Sequence, residues 1–243
     1  MDRSSLVFLA QLAEQADRFD DMTEHMTTVA TDFDEQLSIE ERNLLAIALK
    51  NKLGQLRVAS RALAWMEEKG KVTSVDHLKQ LTDYKAKLDA DMMTLCTDAL
   101  TLIDTHVLPK CQSANAEQTV FFDKMKGDYY RYLTEVQAES DPARARDAEL
   151  AVECYTKAFA LACVELPPTH PIRLGLVLNF SVCLYDTVKS PERACRLAKE
   201  AFDDAIADLD TLGELEYRDS TLIMQVLRDN LTLWTASEDE DEA

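Results

Sequence analysis

The decapeptide KMKGDYYRYL, residues 124–133, sets three cations, three tyrosines and one aspartate together in a chain whose formal net charge is -19. At about 100° per residue on a helix, Lys124, Asp128 and Arg131 fall on one face, with Tyr132 beside them. A second basic set, Lys50, Arg57 and Arg61, lies within about 40° on another helix face. A solvated charged face is the common alternative for either set. Such a face needs no orienting partner, whereas Asp128 stands three residues from Arg131, where it can hold the guanidinium. Two guanidinium forks, a lysine and a phenol suit a tetrahedral dianion such as phosphate.

Two later segments complement these cations. In HPIRLGLVLNFSVCLYD, residues 170–186, Asn179, Val182 and Asp186 lie within about 60° of one another by the same arithmetic. In DSTLIMQVLRDNLTLW, residues 219–234, Leu222, Ile223, Val226, Asn230 and Trp234 cover about 120°. Asn179 and Asn230 are each an amide at the edge of an apolar stripe. They read equally as caps or core amides and as groups that bond the backbone of an extended peptide, its side chains packed by the aliphatics.

The chain lacks the usual equipment of catalysis. No nucleotide-binding glycine loop and no G-x-S-x-G elbow occurs. Cys96, Cys111, Cys154, Cys163, Cys183 and Cys195 are too far apart for a CxxC pair, and the histidines lack ligand spacing. The expectation is no metal, no cofactor and reduced thiols.

The elements that position these residues are helices. Only five Gly and six Pro punctuate 243 residues that are 47% hydrophobic, so long helices with few turns are expected. Ser38-Ile-Glu-Glu41 is a capping box. Asp141-Pro142, His170-Pro171 and Ser190-Pro191 each place a proline where a helix begins. Nine helices are expected, at roughly 3–16, 20–33, 39–70, 75–107, 117–138, 142–166, 171–187, 191–209 and 215–234. Short connections make them antiparallel neighbours. The acid run at 237–243 is expected to be a disordered tail. No stretch approaches the roughly 18 apolar residues of a membrane span, and the first residues carry acids unlike a signal peptide. The acidity also argues against nucleic acid.

RNLLAIALKN (42–51), KMKGDYYRYL, THPIRLGLVLNFSV (169–182) and YRDSTLIMQVLRDNLTLW (217–234) resemble the signature segments of the 14-3-3 proteins, and the resemblance extends over residues 1–236. It implies a single all-α domain of nine antiparallel helices forming a cup-shaped homodimer, or a heterodimer among paralogues. Residues 1–107 would supply dimerisation and the basic wall of one groove per protomer, and 117–236 the rest. The implied function is a cytoplasmic signalling adaptor, not an enzyme, that binds phosphoserine or phosphothreonine segments of client proteins. By position, Lys50, Arg57, Arg131 and Tyr132 would hold the phosphate. Lys124, Leu178, Asn179, Val182, Asp186, Leu222, Ile223, Val226, Asn230 and Trp234 would line the groove. Leu12, Ala13, Ala16, Arg18, Asp21, Tyr84, Lys87 and Asp91 would form the dimer interface, with Arg18 paired to Asp91 and Asp21 to Lys87 across it.

The chain also departs from the family pattern. Asp186 stands for a glutamate and Val226 for a leucine. Ala59 removes a serine whose phosphorylation loosens the dimer in many members. Leu49 and Ser60 replace a tyrosine and a tryptophan, and extra residues sit near 32–35 and 110–115. The rival reading is a helical repeat scaffold that binds peptides without phosphate, but no repeat near 34 residues is found.

Overall fold

The computed structural model describes residues 1–111, 115–209 and 213–241, without the side chains of 215, 216 and 237–241. Among the described residues there are nine α-helices and no strand. They are α1 (Arg3–Gln15), α2 (Phe19–Asp32), α3 (Ile39–Glu68), α4 (Val75–Leu102), α5 (Ala116–Val136), α6 (Pro142–Glu165), α7 (Pro171–Val182), α8 (Pro191–Asp208) and α9 (Glu214–Asp241). The helices gather into two compact units, Met1–Gln112 and Ser113–Ala243.

Local signals start the helices where the sequence puts them. Ser38 N–H donates to Glu41 Oε2 at 2.7 Å, and Glu41 N–H donates to Ser38 Oγ at 3.2 Å, so both halves of the capping box form. Each satisfies a donor that the first helical turn leaves without a partner. Asp141 accepts from Ala143 N–H at 2.9 Å, and His170 Nδ1 from Ile172 N–H at 3.2 Å. Ser190 precedes α8 but makes no such bond through its side chain. Gly70, just past α3, takes φ +57, a conformation that a Cβ disfavours.

In the first unit α2, α3 and α4 bury Met22, Met26, Leu45, Leu53 and Cys96. In the second, α5 and α6 pack along Ala151, Ala158 and Ala162, all fully buried, whose small side chains let the helices approach closely. Leu174, Leu176 and Leu227 close this core. Each fully buried leucine contributes about 1.5–3 kcal/mol of apolar burial.

Three helix ends differ from the sequence expectation. The helix expected over 75–107 ends at Leu102 and continues as a π turn, Ile103–Val107, and a 3-10 turn, Leu108–Lys110. The helix expected over 171–187 ends at Val182, where a π turn, Cys183–Thr187, takes over. Val188 N–H reaches Cys183 O, five residues back, at 3.0 Å. A π turn holds more residues than an α turn, so angles counted at 100° lose phase past Cys183. The last helix was expected to stop near 234, ahead of a tail at 237–243, yet its backbone continues to Asp241. The run SEDED contains no Gly or Pro to stop it. Residues 242 and 243 lie outside the described residues.

Two of the positions with extra residues meet. Lys110 Nζ donates to Ala30 O at 2.7 Å and to Phe33 O, capping carbonyls at the end of α2 that the helix itself cannot satisfy. Residues 112–114 of the second insertion lie outside the described residues.

Candidate functional site

The spacing of α5 puts Lys124, Asp128 and Arg131 together as expected, and the structure adds what fixes them. Asp128 is buried, with a side chain 11% exposed. Its Oδ2 accepts from Lys124 Nζ at 2.8 Å. Its Oδ1 accepts from Tyr155 Oη–H on α6 at 2.5 Å and from Asn179 Nδ2 on α7 at 2.7 Å. One carboxylate therefore ties together side chains from three helices. Burial alone would raise the Asp128 pKa, but the charges of Lys124 and Arg131 and the hydrogen bonds from Lys124 and Tyr155 outweigh it. The carboxyl stays below the usual aspartate range.

Arg131 differs from the sequence expectation in one respect. Its Nη2 lies 3.9 Å from Asp128 Oδ1, an ion-pair distance too long for a hydrogen bond. The guanidinium is located instead by Tyr155 Oη, which accepts from Nε at 3.5 Å, and by Glu135 Oε1 at 3.4 Å from Nη1. Its planar end sits 4.5 Å from the Tyr132 ring centroid, a cation–π contact. Tyr132 packs edge-on against Tyr129, with centroids 5.9 Å apart. Burial opposes the Arg131 charge, but Tyr155, Tyr132 and Asp128 more than offset it, so the guanidinium is held above its ordinary pKa. Burial and the neighbouring Asp128 carboxylate push the Tyr155 phenol well above its ordinary value, so it stays a proton donor.

On the first unit, α3 carries Lys50 and Arg61 exposed and Arg57 half-buried. Leu49 is 2% exposed, and Ser60 Oγ donates to Asp89 Oδ1 on α4 at 3.2 Å.

The apolar positions of the second unit divide. Leu178, Asn179, Val182, Ile223 and Asn230 are half-buried, while Leu222 is 60% and Val226 45% exposed. Trp234, expected on the same surface, is 5% exposed and stacks on Tyr185 at 4.7 Å, so it presents little area to a ligand. Leu233, which helical counting places near 20° from Leu222, is exposed and extends the stripe instead. Asp186 is exposed within the π turn.

Of the expected dimer residues, Leu12, Ala16, Tyr84, Lys87 and Asp91 are exposed, and Ala13 is buried in its own unit. Arg18 pairs with Asp21 within the chain, Nη2 to Oδ1 at 3.0 Å.

Sequence reasoning missed Tyr155, Glu135 and Leu233. The one trace of Tyr155 is Gly127. A Cβ there would meet three Tyr155 ring atoms at 2.8–2.9 Å, so a glycine inside α5 marks the close approach of α6. Glu135 follows Arg131 by one helical turn, a spacing that could have flagged it.

A family model described as 14-3-3 protein matches residues 9–235. The chain is 49% identical over 241 residues to 14-3-3 protein 9 of Solanum lycopersicum, covering 99% of this chain and 90% of that protein. A 14-3-3-like protein of Fucus vesiculosus is 51% identical over 241 residues, with 99% and 93% covered. The 14-3-3-like protein GF14 psi of Arabidopsis thaliana is 50% identical over 243 residues, again with 99% and 93% covered.

Proposed function

The chain belongs to the 14-3-3 family of phosphopeptide-binding adaptors, and on that footing we propose that Lys50, Arg57, Arg131 and Tyr132 hold the phosphate of a phosphoserine or phosphothreonine in a client protein. Asn179 and Asn230 bond the client backbone. Leu178, Val182, Leu222, Ile223 and Val226 pack its side chains, with Lys124 and Asp186 at the margins.

The observation that carries this reading is the Asp128 network. In a chain of net charge -19, a buried carboxylate is spent on holding Lys124 and Asn179 by hydrogen bonds and Arg131 by charge. The Arg131 side chain is only 12% exposed, so much of its desolvation is already met before a ligand arrives. A phosphate dianion accepts several charge-assisted hydrogen bonds from such donors. An unphosphorylated hydroxyl accepts far less, and a partly desolvated cation gains little from it. Discrimination follows from what the pocket lacks without the dianion.

No bond in the client is made or broken in this reading. The protein acts as an adaptor in the cytoplasm and alters a client's activity or location by occupying its phosphorylated segment. Two copies associate through Leu12, Ala16 and Tyr84, with Arg18 against Asp91 and Asp21 against Lys87 of a second copy. Exposed ion pairs contribute little each, so the apolar residues supply most of that affinity. Among the described residues no helix is long and apolar enough to cross a membrane.

Calorimetry with a degenerate phosphoserine peptide library and its unphosphorylated twin tests the reading. The phosphorylated pool should bind at least about 100-fold more tightly, and Arg57→Ala or Arg131→Ala should each remove about 2–4 kcal/mol. Superimposable titrations for the two pools would end it.

A further inference from the structure

We infer that Tyr155 is a positioning residue for ligand binding: it touches no ligand, but its phenol sets Asp128 and, through it and directly, the Arg131 guanidinium. The inference rests on the proposed phosphate-binding role of Arg131.

Tyr155 is fully buried on α6, and its ring stacks on Phe180 of α7 with centroids 5.4 Å apart at 21°. A side chain held only for packing would do this much with a bare ring. The hydroxyl does more, because it donates to Asp128 Oδ1 at 2.5 Å and accepts from Arg131 Nε at 3.5 Å. It therefore touches both the anchoring carboxylate and the guanidinium.

The geometry shows why that atom matters. Asp128 stands 3.9 Å from Arg131, too far to orient it by a hydrogen bond. Glu135 reaches Arg131 at 3.4 Å from an exposed position, where water competes for its carboxylate. Of the two hydrogen-bond partners that locate the guanidinium, Tyr155 is the fully buried one, its ring stacked on Phe180. Gly127 keeps α5 close enough for its ring to lie against the backbone, since a Cβ there would meet it at 2.8–2.9 Å. With the hydroxyl in place, the one Nε–H is committed to Tyr155, and the N–H groups of Nη1 and Nη2, which lie 3.4 Å from Glu135 and 3.9 Å from Asp128, are the donors that remain for a ligand. A fork fixed in advance loses less freedom when it grips an oxyanion.

Tyr155→Phe is the discriminating variant, because it keeps the ring and its stacking and removes the oxygen. Binding of the phosphoserine library should weaken by about 3–10-fold, the range expected for one lost hydrogen bond that orients a charged group. The same change placed on Arg131→Ala should have little further effect, since its action runs through that guanidinium. The Arg131 Nε–Hε resonance should also move in Tyr155→Phe. A merely structural tyrosine would leave that double-mutant coupling at zero and the resonance unmoved. Wild-type affinity in a folded Tyr155→Phe protein would overturn the inference. So would an equal loss with and without Arg131. If Tyr155→Phe does not fold, Asp128→Asn serves instead: it should weaken the same binding, and unchanged affinity there would overturn the inference equally. Wild-type protein that fails to prefer the phosphorylated library would refute the phosphate reading itself, a result separate from either outcome.

Discussion

Gly127→Ala sets two effects of opposite sign against each other at one position. Alanine in a helix interior is favoured over glycine by roughly 1 kcal/mol. At Gly127 the new Cβ would lie 2.8 Å from Tyr155 Cδ1 and Cε1 and 2.9 Å from Cζ. Ordinary contact begins near 3.4 Å, so the ring must retreat by about half an ångström. Three atoms of a rigid ring are involved, with Phe180 stacked behind and Asp128 holding the hydroxyl. Overpacking of this kind costs about 1–3 kcal/mol, and loosening a hydrogen bond to a carboxylate adds about 1.5–3 kcal/mol where the bond is lost. Clash and lost bond therefore exceed the propensity gain, and the net destabilisation is about 1.5–5 kcal/mol where the bond is lost. Gly54 in α3 supplies the contrast, because nothing lies within 4 Å of a Cβ placed there. Gly54→Ala should raise stability by about 0.4–1 kcal/mol. Thermal unfolding of the two variants, at about 2–4 °C per kcal/mol for a chain of this size, separates them by sign. Phosphopeptide affinity should fall in Gly127→Ala, whose change displaces the Tyr155 hydroxyl. If Gly127→Ala melts above wild type as Gly54→Ala does, the close approach of α6 is not a constraint and the reasoning fails.

Acid titration gives a second outcome. The folded-state pKa values of Asp128 and Glu41 are depressed below their ordinary values, so the stability they add is present above the ordinary carboxylate range and is lost as pH falls through the folded values. Asp128→Asn should flatten the acid limb of a stability–pH curve measured by denaturant unfolding, and an unchanged limb would show that Asp128 is not a source of it. For Arg3→Ala, which removes hydrogen bonds of 2.7 and 2.8 Å to buried Glu41, urea unfolding should report a loss of about 1–3 kcal/mol; a loss under 0.5 kcal/mol would mean that water replaces them. In the groove, Asp186→Glu should keep or improve peptide affinity and Asp186→Ala should lower it, while calorimetry showing alanine equal to wild type would remove this carboxylate from the site.

Most of the fold was legible because its signals are local. Ser38 and Glu41 are three residues apart, and the bonds they make depend on nothing beyond one helical turn. The prolines at 142, 171 and 191 act in the same way, and the helices that they begin start at those residues. The π turns were not legible. Nothing in CLYDT distinguishes five residues of π turn from five of α-helix by side-chain type, and the wider turn shows in the backbone, as in the bond from Val188 to Cys183. Trp234 shows a second limit. Periodicity placed it at the edge of an apolar stripe, but which edge faces inward depends on Tyr185, about fifty residues earlier in the chain, stacked against it.

The candidate site follows the same division. Lys124, Asp128 and Arg131 could be grouped because one helix sets their spacing, whereas the distances among them could not be read. Spacing suggested that Asp128 grips Arg131, and the structure shows an ion pair at 3.9 Å there, with the hydrogen bonds made to Lys124, Tyr155 and Asn179. Those last two partners come from 27 and 51 residues away. Such contacts leave only indirect traces in a sequence, in the form of residues that local propensity would not choose. Gly127 is one. Nothing about α5 alone asks for a glycine there, so its presence reports a neighbour that needs the space, and the neighbour proves to be the tyrosine that orients the charged groups. A glycine that weakens a helix at a cluster of cations is thus better evidence for a built site than the cations themselves, because a solvated charged face would have no use for it.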